Sequence, residues 1–285
     1  IDNQTGGNAT TNYIVNNNST LSTNSSMTVY YGTIDGVALI NDSSRGGTVT
    51  IGGNLTMHGN IGATNATGNF TISEWNSLTL ASNVSTFNSD NMTLSDNTVL
   101  NFGNVTSGYN RGSSETLTFA SNITMGSNST INVGGGTTLN GNIYGAGTLN
   151  VLGNFTSTGS IGAAQVDGAD FITSGLEQIN ISKGNTFTLN NNATATRMNI
   201  NGTVTVAGNI TAAVTMGADG ILNLNNESGD DNAAKVVGAI QSYVVDTAQG
   251  TLNINGTFTT QGAIGQGGKG LAAINLSNST WSNGF

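Results

Sequence analysis

One phrase occurs three times in this chain, and it constrains the possible folds more than any other feature. It reads TVTIGGNLTMHGNIG at Thr48–Gly62, TLNVLGNFTSTGSIG at Thr148–Gly162 and TLNINGTFTTQGAIG at Thr251–Gly265. The copies share an alternating apolar start, a second apolar-Thr step and a final Ile-Gly, and they begin 100 and 103 residues apart. Such repetition is typical of a solenoid, in which each unit buries its apolar face only against its neighbours.

The apolar residues of the phrase alternate with polar ones, which is the period of a β-strand with one buried face. A second phrase joins an apolar-Thr-apolar strand to an apolar-Asn-apolar strand through a polar corner, at Met92–Phe102, Ile123–Val133 and Val214–Leu224. Short strands between Gly and Asn corners indicate the coils of a parallel β-helix, and parallel crossovers are usually right-handed. A β-sandwich is the alternative, because it also uses short alternating strands.

We therefore predict an all-β fold, a right-handed parallel β-helix. Residues 1–285 would form a single β-solenoid segment of a longer surface protein, with repeat units at about 45–145, 146–248 and 249–285 and coils of roughly 20–25 residues spaced ~4.8 Å apart. Asn232–Ala248 departs from the pattern, and its β-branched residues favour strands over a helix there. Asn side chains at the corners are expected to stack into amide ladders along the axis.

The apolar positions that recur in every copy of the first phrase predict the core, because each repeats at the same place in its copy. These residues are Val49, Ile51, Leu55, Ile61, Leu149, Val151, Phe155, Ile161, Leu252, Ile254, Phe258 and Ile264.

The charge of the chain excludes several classes of function. Six Lys and Arg stand against fifteen Asp and Glu, a formal net charge of −9, and the basic residues are scattered one at a time. Binding to nucleic acid requires clustered basic residues, so we expect no nucleic-acid partner.

The absence of Cys excludes disulfides and thiolate chemistry. No apolar run approaches the about 18–20 residues of a membrane span, so no membrane insertion by this segment is expected.

Few residues suggest catalysis or metal binding. His58 is the only histidine, and a triad or a His-based metal site would lack partners, so we interpret it as a solvent-exposed corner residue. The carboxylates closest in sequence are Asp167 with Asp170 and Asp230 with Asp231. The latter pair follows Glu227 and could bind a hard cation, but without an ordered ligand spacing a solvated turn is favoured. We therefore predict no catalytic, cofactor-binding or metal site and no cofactor.

Two further surface features are interpreted structurally. Many Asn-x-Ser/Thr triplets suggest N-glycosylation, but most of them, such as the triplets at Asn54, Asn122 and Asn154, have an apolar middle residue. A corner Asn followed by a strand with alternating faces produces that triplet automatically. The aromatic residues do not cluster in sequence. Core filling or corner packing is the default interpretation for Trp75, Tyr109, Tyr144 and Trp281, and a sugar-binding platform on a flat solenoid face is the alternative.

The third copy of the phrase, together with LAAINL at Leu271–Leu276, resembles the passenger region of rickettsial outer-membrane autotransporters, the surface-antigen adhesins of the outer membrane protein A and B type. Those passengers repeat a Gly-Thr-Leu strand, a Thr-rich strand, Gly-x-Ile-Gly and a strand ending in Ile-Asn-apolar. Phe70–Ile72 and Ile179–Ile181 extend the likeness to the first two copies. The resemblance implies a secreted surface passenger that contacts host cells or forms a coat, and it identifies no receptor-binding residue.

Three functions follow as expectations. The first is a non-enzymatic, extracellular cell-surface protein, an adhesin or surface-layer passenger anchored to the outer membrane through a part outside this sequence. The second is a self-assembling subunit of an extracellular filament, sheath or surface layer. The third is a polysaccharide-active enzyme, which the sparse charge disfavours. The expected partners are a host-cell or neighbouring-cell surface, or copies of the chain joined end to end or laterally, and both ends are expected to continue into further coils.

Overall fold

The computed structural model describes residues 13–15, 20–23, 27–29, 34–36, 47–64, 66–102, 116–163, 165–167, 170–172, 175–226, 234–277 and 281–283. All regular secondary structure in these ranges is β-strand, and no helix occurs in them. The all-β, solenoid-like part of the predicted fold is therefore confirmed.

The first fifteen strands are β1 Tyr13–Val15, β2 Thr20–Thr23, β3 Met27–Val29, β4 Ile34–Gly36, β5 Thr48–Ile51, β6 Leu55–Met57, β7 Thr67–Ile72, β8 Ser77–Leu80, β9 Thr86–Leu94, β10 Val99–Phe102, β11 Leu117–Val133, β12 Thr137–Leu139, β13 Ile143–Val151, β14 Phe155–Ser157 and β15 Ile161–Ala163. The remaining strands are β16 Gln165–Asp167, β17 Asp170–Ile172, β18 Leu176–Ile181, β19 Thr186–Leu189, β20 Ala193–Ile200, β21 Thr203–Val206, β22 Ile210–Met216, β23 Ile221–Asn226, β24 Ala234–Val237, β25 Ile240–Ser242, β26 Thr251–Gly256, β27 Phe258–Gln261, β28 Ala273–Ser277 and β29 Trp281–Asn283.

Most strands belong to one 25-stranded sheet whose pairings are parallel, and they stack in three columns that we call faces A, B and C. Face A stacks β5 on the second halves of β7 and β9, and face B stacks β6, β8 and β10. Face C stacks the first halves of β9 and β11 under β12 and β14. The chain passes through A, B and C in that order and returns to A one layer further along, so each circuit is one coil.

The coils differ in length. Residues paired between successive coils are 16 positions apart at Met198 and Val214 but 31 apart at Leu100 and Ile131. The prediction of 20–25 residues per coil was therefore too narrow. One long coil contains β16 and β17, which pair with each other in antiparallel register outside the large sheet. Corners can absorb such insertions because parallel stacking requires only that the strands stay in register.

Each copy of the repeated phrase builds one circuit, but the three copies begin on different faces. Val49 of the first copy stacks on Phe70 in face A, and Leu149 of the second stacks on Ile179 in face B. Leu252 of the third stacks on Leu222 in face C. The phrase is thus a unit of one coil, and its spacing of about 100 residues does not return the chain to the same face. The division into units 45–145, 146–248 and 249–285 stays a prediction.

The Ile-Gly that ends each copy has a backbone reason. Gly62, Gly162 and Gly265 have φ values of +63°, +66° and +71°, in the left-handed region that residues with a Cβ rarely adopt. At Gly162 an added Cβ would lie 1.9 Å from the carbonyl oxygen of Thr194 in the next coil. The glycine therefore permits both the corner and the close stacking of the coil that follows.

The core runs between the three faces and contains the predicted apolar positions. Eleven of the twelve predicted core residues are buried, and Ile264 is partly buried against the others. Phenylalanines stack inside it along the axis: the ring centroids of Phe87 and Phe119 are 4.2 Å apart, and those of Phe155 and Phe187 are 5.2 Å apart. Burial of the alternate side chains therefore holds the coils together, as the pattern predicts.

The described part of Asn232–Ala248 contains strands, as predicted. Its strands β24 and β25 stack on β22 in faces A and B. From Tyr243 the chain leaves face B in a turn whose backbone is fastened to the next coil, where Asp246 N–H donates to the carbonyl oxygen of Gly268 over 2.8 Å.

Candidate functional site

The outward side of face B carries a ladder of asparagine amides. From the second residue onward, each Nδ2 donates to the Oδ1 of the residue one coil before it, over 2.8–2.9 Å. The ladder residues are Asn101, Asn132, Asn150, Asn180 and Asn199. Amide ladders are expected at corners from the sequence, whereas this ladder lies in mid-strand, on the outward position between two buried residues.

Face C has a shorter ladder near its end. Asn253 Nδ2 donates to Asn223 Oδ1 and Asn275 Nδ2 donates to Asn253 Oδ1, each over 2.7 Å. The outward row that leads to it is threonine in six successive coils, at Thr86, Thr118, Thr138, Thr156, Thr188 and Thr205. Along the stacked strands described here, neither this row nor the ladder row of face B contains a charged residue. The two rows therefore present repetitive, uncharged amides and hydroxyls on the outside of faces B and C.

Corner asparagines make a different hydrogen bond, to the backbone of the next coil, and their position before a strand explains many of the Asn-x-Ser/Thr triplets. Asn54 Oδ1 accepts the backbone N–H of Ser77 over 3.0 Å, and Asn122 and Asn154 accept those of Asn142 and Thr186 over the same distance. Each of these asparagines caps a backbone donor of the next coil at the point where a strand begins. The apolar residue after it points inward and the Thr points outward, so the triplet arises from the fold.

His58 lies in the turn after β6 and is half-buried, so the prediction of a solvent-exposed residue was wrong in degree. Its carbonyl oxygen accepts a hydrogen bond from Asn83 Nδ2 one coil later. This hydrogen bond shows that the turn of the next coil lies against the turn that contains His58.

The predicted acidic pairs fall in different parts of the chain. Asp167 and Asp170 are partners in the antiparallel register of β16 and β17, so their backbones lie side by side. Asp230, Asp231 and Glu227 lie outside the described residues. Within the described ranges no group of three or more His, Cys, Asp or Glu residues is placed to hold a metal ion.

One corner has a feature that sequence reasoning missed. Trp75 is 75% exposed and has a φ of +64°, which is strained for a bulky side chain. It follows Ile72 by three residues. Ile72 is in register with Leu94 and Met125 of the next two coils. The residues three positions after those two, Asn97 and Asn128, are therefore equivalent to Trp75. Those asparagines have φ values of +59° and +56°. We call residues 73–76, 95–98 and 126–129 the Trp75 corner. Core filling or corner packing, the interpretation made from the sequence, is wrong for Trp75.

Polar groups surround Trp75 on this corner. Glu74 and Asp96 are exposed, and Asp96 Oδ1 accepts the backbone N–H of Ser127 over 2.7 Å. Asn128 Nδ2 donates to Asn97 Oδ1 over 3.4 Å, which continues the stacking between coils. Asn76 Nδ2 donates to the carbonyl oxygen of Glu74 over 2.9 Å and holds the turn closed. The indole is therefore presented on a rigid turn beside carboxylates and amides.

A shallow groove lies on the other side of face A, where face C turns into it. It has a volume of about 440 Å³ and is lined by Asn88, Asp90, Ser121 and Asn122, among others. The hydroxyl oxygens of Ser89 and Ser121 lie 2.8 Å apart at its base. Between this groove and the Trp75 corner, face A presents the exposed side chains of Asn91 and Thr93.

Apolar side chains are exposed at two places near the last described coils. Tyr243, Val244 and Val245 in the turn after β25 are 72%, 40% and 52% exposed. Ile274 and Leu276 in β28 are 43% and 55% exposed, although they stack on the buried Leu252 and Ile254. Ile274 and Leu276 thus occupy core positions on a coil whose outer side is not covered by any other described strand.

Comparisons with protein-family models, characterised proteins and solved structures found no match for this chain. In the part of the chain that the structure describes, no helix has the length and apolar character needed to cross a membrane.

Proposed function

We propose that this chain is a non-enzymatic, structural and adhesive segment of an extracellular cell-surface protein, of the kind found in autotransporter passengers and surface-layer proteins. In this proposal its solenoid is a right-handed parallel β-helix, in accordance with the general handedness of parallel crossovers. The likeness of the repeated phrase to rickettsial autotransporter passengers supports the proposal, as does a net charge of −9 that disfavours nucleic acid and anionic membranes.

The observation that carries the proposal is the pair of uncharged outward rows. On faces B and C, amides and hydroxyls repeat coil after coil at the ~4.8 Å spacing of stacked strands. Such rows give a long, stiff surface with many identical hydrogen-bonding groups. A surface of this kind suits many weak contacts made side by side, which together give strong attachment when several copies are displayed.

The experiment is adhesion of beads. Latex beads coated with the chain should attach to cultured animal cells more than beads coated with albumin, and soluble chain should compete with them. Equal attachment of both kinds of bead would contradict the adhesive function. Incubation of the chain with common neutral glycans should release no products; turnover lost on replacing Asp167 or Asp170 would contradict the non-enzymatic part of the proposal.

A second candidate function is that of a self-assembling subunit of a filament, sheath or surface layer. The exposed core positions Ile274 and Leu276 favour it, because their coil offers apolar side chains, and a strand edge that no other described strand occupies, to another copy. Negative-stain microscopy of the isolated chain should then show rods joined end to end. Compact particles that remain monomeric at high concentration would contradict this function.

A further inference from the structure

We infer that the Trp75 corner binds a neutral saccharide, with the indole of Trp75 stacked on the C–H face of a sugar ring. The inference rests on the proposed adhesive function and names the chemistry of one site for it.

The fold does not explain a tryptophan at position 75. The two equivalent corners place Asn97 and Asn128 there, with nearly the same positive φ. Asn enters the left-handed region far more readily than bulky residues do, and it also continues the amide ladder. Trp75 has no side-chain oxygen, so it cannot accept the hydrogen bond that an Asn would accept from Asn97. With 75% of its surface exposed, it also gains little from burial. Backbone strain at a residue that adds little to the stability of the fold is typical of a ligand-binding site.

The neighbouring groups decide the class of ligand. Carboxylates of Glu74 and Asp96 would repel anionic lipid headgroups and acidic polymers, but they accept hydrogen bonds from sugar hydroxyls. Asn97 and Asn128 follow at one and two strand spacings along the axis, about 5 and 10 Å away. Amides donate to and accept from hydroxyl groups at once. An aromatic face beside such groups suits a ring with an apolar C–H face and a polar rim.

Exposed polar groups on face A extend the binding surface beyond the Trp75 corner. The exposed Asn91 and Thr93 lie between the Trp75 corner and the open groove at Asn88 and Asp90. All of these groups are uncharged apart from Asp90. A saccharide chain anchored on Trp75 can therefore run along the strands of face A and meet hydroxyl and amide groups as far as the groove.

Affinity electrophoresis tests the inference, because a chain with a net charge of −9 migrates readily in native gels. Gels are cast with glucomannan, hydroxyethyl cellulose or dextran. At least one polysaccharide should retard the wild-type chain, with a dissociation constant raised at least tenfold by Trp75→Asn and much less by Trp75→Phe. Trp75→Asn removes strain, so its melting temperature should equal or exceed that of the wild type. An unchanged or higher melting temperature shows that this variant is folded, so unfolding does not explain its weaker retardation.

The matched control is Tyr243→Asn, which removes an aromatic side chain of similar exposure from another turn and should leave retardation unchanged. No retardation of the wild type by any of the three polysaccharides, or equal retardation of Trp75→Asn, would overturn the inference. Beads that adhere to cells while the gels show no retardation would overturn the saccharide inference alone. Beads that fail to adhere would overturn the proposed function.

Discussion

Asn180 Nδ2 donates a hydrogen bond of 2.8 Å to Asn150 Oδ1, although the two residues are 30 positions apart in the sequence. Asn150 in turn donates to Asn132 over 2.8 Å, so one amide serves the coil on each side. The ladder therefore couples three coils through side chains in addition to the backbone.

Replacement of Asn150 by Ala should remove both hydrogen bonds and lower the free energy of unfolding by about 1–3 kcal/mol. The loss exceeds that of an ordinary surface substitution because the amides of Asn132 and Asn180 are half-buried and each loses one hydrogen-bond partner. Urea unfolding followed by circular dichroism measures the change. The exposed Asn190 at the end of β19 provides the control, since Asn190→Ala should change stability by less than about 0.5 kcal/mol. Equal effects would mean that the ladder contributes nothing.

The Ile-Gly corner can be tested with two glycines of almost equal φ. Gly162 and Gly267 have φ values of +66° and +67°, but an added Cβ would clash with Thr194 at the first and meet nothing within 4 Å at the second. Gly267→Ala should therefore cost only the conformational penalty of about 1–2 kcal/mol. Gly162→Ala should cost about 3 kcal/mol or more, because the next coil must move. Thermal unfolding of both variants measures the difference, and similar melting temperatures would refute the role of close stacking.

Truncation of the core should depend on position along the solenoid. Ile161 is fully buried, so Ile161→Ala should lower the free energy of unfolding by about 2–5 kcal/mol. Ile264 holds the same place in the third copy but is only partly buried, so Ile264→Ala should cost clearly less. Chemical denaturation of the two variants gives both values. A larger loss for Ile264→Ala would show that the coil of Ile264 is better covered than the structure indicates.

The core could be predicted from the sequence because burial depends on the alternation within a strand, which is local. Val49, Leu149 and Leu252 are all buried, as their place in the phrase predicts. The face on which each lies could not be predicted, since it depends on the lengths of all the corners before it. Those corners vary with insertions that leave the apolar pattern untouched.

For the same reason, the Trp75 corner could not be recognised from the sequence. Trp75, Asn97 and Asn128 are 22 and 31 positions apart, with different neighbours, and only the register of β7, β9 and β11 shows that they are equivalent. The sequence also does not distinguish the two structural roles of asparagine, capping of a backbone N–H and membership of a side-chain ladder. Asn54 and Asn150 both precede apolar residues, but the first caps a backbone N–H and the second joins a side-chain ladder.

The last prediction concerns association through the coil of β28. Ile274 and Leu276 occupy inward positions but are 43% and 55% exposed, and the ladder of face C ends at Asn275 among the described residues. A second copy stacked there would bury these side chains and continue both the strand pairing and the ladder. Sedimentation velocity of the wild type should therefore show association that increases with concentration. Leu276→Asn should raise the dissociation constant at least tenfold, because it removes buried apolar surface from the contact. Val245→Asn is the matched control, since Val245 is 52% exposed but lies in a turn beside the column. A wild-type chain that sediments as a monomer at every concentration, or equal weakening by both substitutions, would show that this coil is not the contact surface.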